Sequence, residues 1–484
     1  MSVPLIAPPT APPRSSRRWL ALAVLALAQF LVVLDASIVN IALPSIGEQL
    51  ALDTAGIGWI ITAYVLPFGG LLLLGGRLAD RYGHRRLFLI GSAGFVVASA
   101  LAGLAASGEV LLIARALQGI SAALLAPASL ALVTQLFTTT ADRAKALGIW
   151  GAVAGIGSAA GVLLGGVLTG AFGWQAVFFV NLPIGVVVLA AIPFLITRDV
   201  AKERTRLDLP GAAAISFGLA ALVAAFASAG QNGFVHPVTL GLAAVAIALL
   251  AAFVVIEKRT ALPLVSFGIF RNRAVTAGNL AILLAGSGMV GLFFALSVYM
   301  QAVLGYDALT AGLSQLPLAG TLVVVAGVIA PLVTRFGPRA VLVAALLVFA
   351  AGLVWLAGAP SDAAFVAHLL GPTLVIGAGI GGVFIAGTQL AVEGVREADS
   401  GLAGGLVNTS QQVGGALGLA ILTTIAAVRT SALEAAGIPS AEAMTGGLSW
   451  IFLGSAIAAI FAAVVVVLVR ERGSAPVGGA TVDR

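Results

Sequence analysis

A chain of 484 residues with 60% hydrophobic and 9% charged residues and a mean hydropathy of +1.12 is not a soluble protein, whose apolar share sits near about 45–50% with about 25% charged. The lack of cysteine excludes disulfides, thiolate metal sites and cysteine nucleophiles, and the three histidines, His84, His236 and His368, stand too far apart in sequence to suggest a metal cluster. The net charge of +6 comes from basic residues in short segments between apolar runs, without the aromatic-interleaved patch of a nucleic-acid binder, so it reports membrane topology.

The first segment, with Pro4, Pro8, Pro9, Pro12 and Pro13 before Arg14, Arg17 and Arg18, reads as a disordered cytoplasmic tail over 1–18. The apolar run behind it is too long for a signal-peptide core and has no A-x-A cleavage site, so it is a retained first span. Runs of about 20 apolar residues are the counting unit in a bilayer. They predict spans near 19–42, 54–75, 87–107, 110–132, 145–168, 176–197, 211–229, 238–257, 274–300, 308–333, 339–358, 363–388, 402–428 and 447–470. With the N-terminus inside, every Lys and Arg except Arg115 and Arg429 falls in a cytoplasmic segment, as the positive-inside rule requires of fourteen spans with both termini inside.

The first span holds Asp35. A charge at the bilayer centre costs from about 2.5 kcal/mol on insertion scales to above about 10 in simulation, which makes an intramembrane carboxylate a functional candidate. It lies about seven positions from the outer end of its span, roughly 10 Å, and Arg115 lies about five positions into the fourth span, roughly 8 Å. The two depths match.

Between spans two and three runs Gly76-Arg77-Leu78-Ala79-Asp80-Arg81-Tyr82-Gly83-His84-Arg85-Arg86, where Gly76 and Gly83 permit tight turns. Leu78, Arg81, Gly83 and Arg85 recur as Leu332, Arg335, Gly337 and Arg339 between spans ten and eleven. This internal repeat implies two six-span halves, 19–197 and 274–470, with two extra spans and their linkers over 198–273 and a tail over 471–484. Span five carries Gly157, Gly161 and Gly165 at four-residue spacing, a small face that admits a neighbouring backbone. Pro263 to Arg273 reads as a segment lying along the inner interface.

These stretches resemble the major facilitator superfamily, in particular its fourteen-span drug:proton antiporter family. Residues 76–86 match its G-x-L-A-D-R-x-G-R-R/K-R loop, and Leu34 to Pro44 its L-D-x-T-I-V-N-x-A-L-P signature with Ser37 for Thr. Arg115 to Gly119 match R-x-x-Q-G, Gly173 to Gly185 the entry to span six, and Asn408 to Gly418 the late N-x-x-x-Q-x-G-G-A-x-G segment. Span five departs: Val162 stands where the antiporter pattern has proline.

The resemblance implies an all-α integral membrane protein of the major facilitator fold, two six-helix bundles plus two inserted helices. It sets spans one and four side by side around a central cavity, so Asp35 and Arg115 are expected to face one another and to couple protons. It docks Asp80 against the start of span thirteen near Gly401, with Gly76, Arg81, Gly83 and Arg85 completing an inner gate. Substrate contacts are expected from Asn40, Tyr64, Gln118, Asn408 and Gln412, with aromatic walls from Phe293, Phe294 and Phe384. The implied activity is export of a bulky amphipathic or cationic compound, such as a drug, dye or antibiotic, in exchange for protons, by a monomer in a bacterial cytoplasmic membrane. Proton symport or facilitated uptake of a metabolite, and a non-transporting receptor or scaffold, are the alternatives. No phosphate loop G-x-x-x-x-G-K-[ST] occurs, which argues against direct ATP drive; neither an enzyme nor a cofactor is expected.

Overall fold

The computed structural model describes residues 15–137, 139–197, 208–260, 263–265, 267–395 and 400–469, and among them the regular structure is all helical. Fourteen helices succeed one another: α1 (Ser15–Gln49), α2 (Thr54–Tyr82), α3 (His84–Gly103), α4 (Gly108–Leu136), α5 (Thr140–Phe172), α6 (Asn181–Leu195), α7 (Leu209–Asn232), α8 (Pro237–Arg259), α9 (Arg273–Val298), α10 (Ala308–Phe336), α11 (Pro338–Ala357), α12 (Leu370–Ala391), α13 (Ser400–Ala435) and α14 (Ser440–Leu468). A single turn, Ala176–Phe179, leads into α6, and wide turns flank α9 and α12 at Tyr299–Val303 and Phe365–Leu369. Thirteen of these segments are long and apolar enough to cross a membrane, counting described residues only. The remaining one, α5, is a 33-residue helix, about 50 Å long at 1.5 Å per residue.

Helix α1 runs past both ends of the span predicted at 19–42. It starts at Ser15, inside the stretch read as a tail, and continues through Pro44 to Gln49. Proline removes one N–H and kinks a helix, but neighbouring helices can take up the freed carbonyl and let the helix go on. Residues 1–14, the linker 198–207 and the tail 471–484 lie outside the described residues.

Basic side chains gather at one end of the bundle. Arg17 donates to the Phe194 carbonyl, Arg85 to that of Pro193 at 3.2 Å, and Arg18 pairs with Asp142 at 2.9 Å. Arg77 donates to the Pro263 carbonyl at 2.9 Å, which ties α2 to the segment before α9. Arg339 closes the last carbonyls of α14, Val466 and Val469, at 2.9 and 2.6 Å. This is the basic end; the other is called the far end.

The loop repeat extends to whole helices. Every bound of α2 and α3 recurs 254 residues later in α10 and α11. Gly83 and Gly337 join the paired helices at φ 98° and 79°, and each N–H reaches back four residues at 2.9 Å. An L side chain would be strained at both.

Helices α1–α6 pack on one another, α1 against α5 and α4 against both α2 and α3; α9–α14 form a second group. Along one seam α2 runs beside α13, and α7 lies over both: a Cβ on Gly70 would meet Ser216 Oγ at 3.0 Å, and Thr424 donates to the Phe226 carbonyl at 3.0 Å. Helix α8 packs outside α7 and is the least buried span. Across the other seam, α5 meets the first turns of α10, where a Cβ on Gly312 would lie 2.8 Å from the Val162 carbonyl. Towards the basic end α10 instead exposes Val324, Val328 and Phe336. The halves are therefore closed together along this seam at the far end.

Candidate functional site

Asp35, midway along α1, exposes no area. Burying an ion costs several kcal/mol, and its partner repays that only with good geometry and satisfied hydrogen bonds. Both conditions hold. Oδ2 accepts from Arg115 Nη1 at 2.6 Å, and Oδ1 accepts from Asn181 Nδ2 at 2.7 Å and Gln118 Nε2 at 3.0 Å. Arg115, 1% exposed, also donates from Nε to the Ile60 carbonyl at 3.1 Å and from Nη1 to Gln118 Oε1 at 2.8 Å. Its guanidinium lies 4.3 Å from the Tyr64 ring centre and 5.9 Å from that of Phe178, a cation–π arrangement strengthened by exclusion of water. Ser99 Oγ accepts from Gln118 at 2.8 Å and Asn181 at 3.3 Å.

Five helices thus supply one cluster: α1 the acid, α4 the arginine and an amide, α2 a carbonyl and an aromatic face, α3 a hydroxyl, and α6 a second amide. The small face of α5 holds α1 from behind. A Cβ on Gly161 would come within 2.6 Å of Ser37 Cβ and 3.0 Å of the Leu34 carbonyl, so the two backbones touch beside Asp35. Helix α5 carries no proline, and Val162 continues it unbroken.

Asp35 and Arg115 meet as expected, but the ends of their helices lie elsewhere than the ends of the apolar runs. Because α1 extends to Gln49, Asp35 stands fourteen residues from its far end, roughly 21 Å, against seven residues, roughly 10 Å, for Arg115 in α4. Unequal helix overhang and the long arginine side chain bring them together.

Two expected cavity residues belong to this cluster instead. Tyr64 and Gln118 expose nothing, Tyr64 donating to the Val32 carbonyl at 3.4 Å. Asn40 and Asn408 cap carbonyls of their own helices, Ala36 at 2.9 Å and Gly404 at 3.2 Å. Gln412 packs at the α2–α13 seam against Gly69. Phe294 is wholly buried, and Phe293 is half-buried against the core. Phe384 lines a cavity of about 30 Å³ with Met289, Phe349, Thr388 and Gln411. That volume is far below the roughly 300–1,000 Å³ of a drug-sized pocket.

At the basic end, Asp80 is 62% exposed and bonded to His84 Nε2 at 3.2 Å, while His84 Nδ1 meets Gln135 at 3.1 Å. The partner that Asp80 meets among the described residues is therefore on the next helix, and the surroundings of Gly401 lie outside them. Arg85 is engaged with the end of α6, Arg81 lies 5.2 Å from the Tyr82 ring, and a Cβ on Gly76 would touch only Pro127, at 3.8 Å. Helices α2 and α13 do meet here, Leu73 and Leu74 packing with Leu402 and Leu406.

Ser99 and Asn181 escaped the sequence reading. A serine in an alanine-rich span carries no distinguishing signal, whereas Asn181 stood inside the recognised span-six entry and was visible there without an assigned role. No group of three or more His, Cys, Asp or Glu among the described residues could hold a metal.

The Major Facilitator Superfamily family model matches residues 25–419. A puromycin resistance protein of Streptomyces alboniger is 42% identical over 420 residues, covering 86% of this chain and 83% of that protein. A cephamycin export protein of Amycolatopsis lactamdurans is 42% identical over 435 residues, 86% of this chain and 87% of that protein. Among solved structures, an auto-inhibited POT family peptide transporter overlays with a TM-score of 0.67 at 16% identity, covering 95% of this chain and 98% of its own, a likeness of fold. With the family model spanning four fifths of its length and all fourteen helices in place, the chain belongs to the Major Facilitator Superfamily.

Proposed function

We propose that the protein is a secondary exporter of the bacterial cytoplasmic membrane, moving a bulky amphipathic or cationic compound such as a drug, dye or antibiotic outward in exchange for protons. The single observation that carries the coupling is the buried Asp35–Arg115 pair with its three donors to the carboxylate. Charge-paired, it is compact and dry. When a proton neutralises Asp35, Arg115 is left as an uncompensated cation, a state that costs several kcal/mol inside the protein, and conformations that admit water to the cluster become favoured. Gln118 and Asn181 are amides, able to present an N–H to a carboxylate or a carbonyl to a carboxylic acid. Both protonation states therefore find partners, and proton binding is converted into a drive on α1 and α4.

The resistance and export relatives support the outward direction, and the basic end supports placing both termini in the cytoplasm. Asp80 with Gly76, Arg81, Gly83 and Arg85 is proposed to gate that inner end, Asp80 exchanging His84 for α13 when the face closes. In everted vesicles with an acid interior, adding a lipophilic cation such as tetraphenylphosphonium, or puromycin, should dissipate the gradient. The Asp35→Asn protein should insert normally and dissipate nothing; undiminished dissipation by that variant would overturn the coupling role.

A further inference from the structure

Nine residues beyond Asp35, α1 runs on through Pro44 with one hydrogen bond of its ladder missing. Pro44 has no N–H, so the carbonyl of Asn40, four residues earlier, has no donor within its own helix. A buried carbonyl left without a donor is costly, so another group must supply one. In the structure that group comes from the other half of the molecule. Ser297 Oγ donates to the Asn40 carbonyl at 2.5 Å, and Gln301 Nε2 donates to the next carbonyl, Ile41, at 3.0 Å and to Ser297 Oγ at 3.0 Å. Ser297 is fully buried. Gln301 sits in the wide turn Tyr299–Val303, pinned by Tyr299, whose hydroxyl donates to the Pro360 carbonyl at 2.5 Å. Wide turns of this kind recur at functional positions in helices.

We infer that Ser297 and Gln301 form a latch that closes the far ends of the two halves by completing the backbone of α1 where Pro44 breaks it. The latch stands about 7.5 Å along α1 from Asp35, on the same rigid segment. A shift of α1 when the Asp35–Arg115 pair is broken therefore moves the carbonyls that the latch holds. Release leaves the Asn40 carbonyl without a donor, and a far face opened for substrate exit supplies water to it while a closed one does not. Proline here is a docking point as well as a kink. The latch rests on the reading of the protein as a transporter whose halves part at this end; Ser297 and Gln301 act as positioning residues.

The chain has no cysteine, so spin labels go only where they are placed. Labels at Ala106→Cys, between α3 and α4, and Ala436→Cys, behind α13, report the far-end gap by double electron–electron resonance in nanodiscs. Ser297→Ala with Gln301→Leu removes all three hydrogen bonds of the latch and is expected to raise the ratio of long to short distances about tenfold or more. Pro44→Ala restores an N–H to the Asn40 carbonyl and should lengthen the distances too, with the triple variant adding little to either. Ser297→Thr, which keeps the hydroxyl, should resemble the unaltered protein and guards against a folding defect in the double variant. An unchanged distribution in Ser297→Ala with Gln301→Leu, or effects of the Pro44 and latch changes that simply multiply, overturns the latch while leaving transport standing. A single short distance in the unaltered protein under every proton gradient and substrate condition overturns both.

Discussion

Shifted by 254 residues, α2 and α3 land on α10 and α11, and Asp53 and Asp307 cap the paired helices α2 and α10 with the same bond, 2.7 Å from a backbone N–H three residues on. The buried polar cluster has no such copy. Where α2 and α3 carry Tyr64 and Ser99, α10 and α11 carry Leu318 and Leu353, both fully buried; at the same offset in sequence alone, Asp35, Arg115 and Gln118 fall on Met289, Leu369 and Pro372. Met289 lines the small cavity beside Phe349 and Phe384. The framework can thus be duplicated while the charge is not, because an ion in the bilayer is tolerable only where all of its donors are placed together. One half holds a charge site, and the other buries leucines at the positions opposite Tyr64 and Ser99.

Breaking that asymmetry gives a graded series. Arg115→Met leaves Asp35 buried and unpaired and should cost about 3–5 kcal/mol, read as a large drop in thermal stability of the purified protein. A matching loss should be absent from Leu369→Met at the shifted position. Met289→Asp places an acid where no arginine waits; it should stay protonated, cost about 3 kcal/mol, and fail to restore coupling to Asp35→Asn. Restored coupling would mean that either half can host the proton. Asn181→Leu removes a donor to the carboxylate and should cost about 1.5–3 kcal/mol, with a shifted pH profile of transport that a purely structural residue would not produce. Ser99→Ala, two bonds removed from the charge, should cost about 1 kcal/mol and leave the pH profile in place.

Most of the framework was legible in the residues. Fourteen apolar runs, the Arg distribution and the Gly83–Gly337 repeat each report a backbone constraint that acts locally: burial of N–H groups in lipid, retention of charge on one side, a positive φ at a turn. The Asp35–Arg115 pair was also expected, because the recognised motifs imply spans one and four side by side. The end of α1 was not, since Pro44 does not stop the helix and helix overhang cannot be read from a hydropathy run. Gln118 and Tyr64 were expected at a cavity because polarity alone does not say whether a side chain serves water, substrate or another buried group. Ser99 and Ser297 are small hydroxyls among alanines and leucines, and each finds a partner on a helix far along the chain, 82 residues away for Ser99 and 257 for Ser297. Such pairings exist only once the bundle has closed.

The claim at the centre of the account is that Asp35 is the group that trades a proton for substrate. Purified protein in weakly buffered detergent, mixed with puromycin or a lipophilic cation that it is shown to bind, should release protons to the medium, measured with a pH-indicator dye. The account predicts that Asp35→Asn still binds the compound but releases no protons. Proton release by Asp35→Asn equal to that of the unaltered protein would contradict it and move the coupling site elsewhere in the chain.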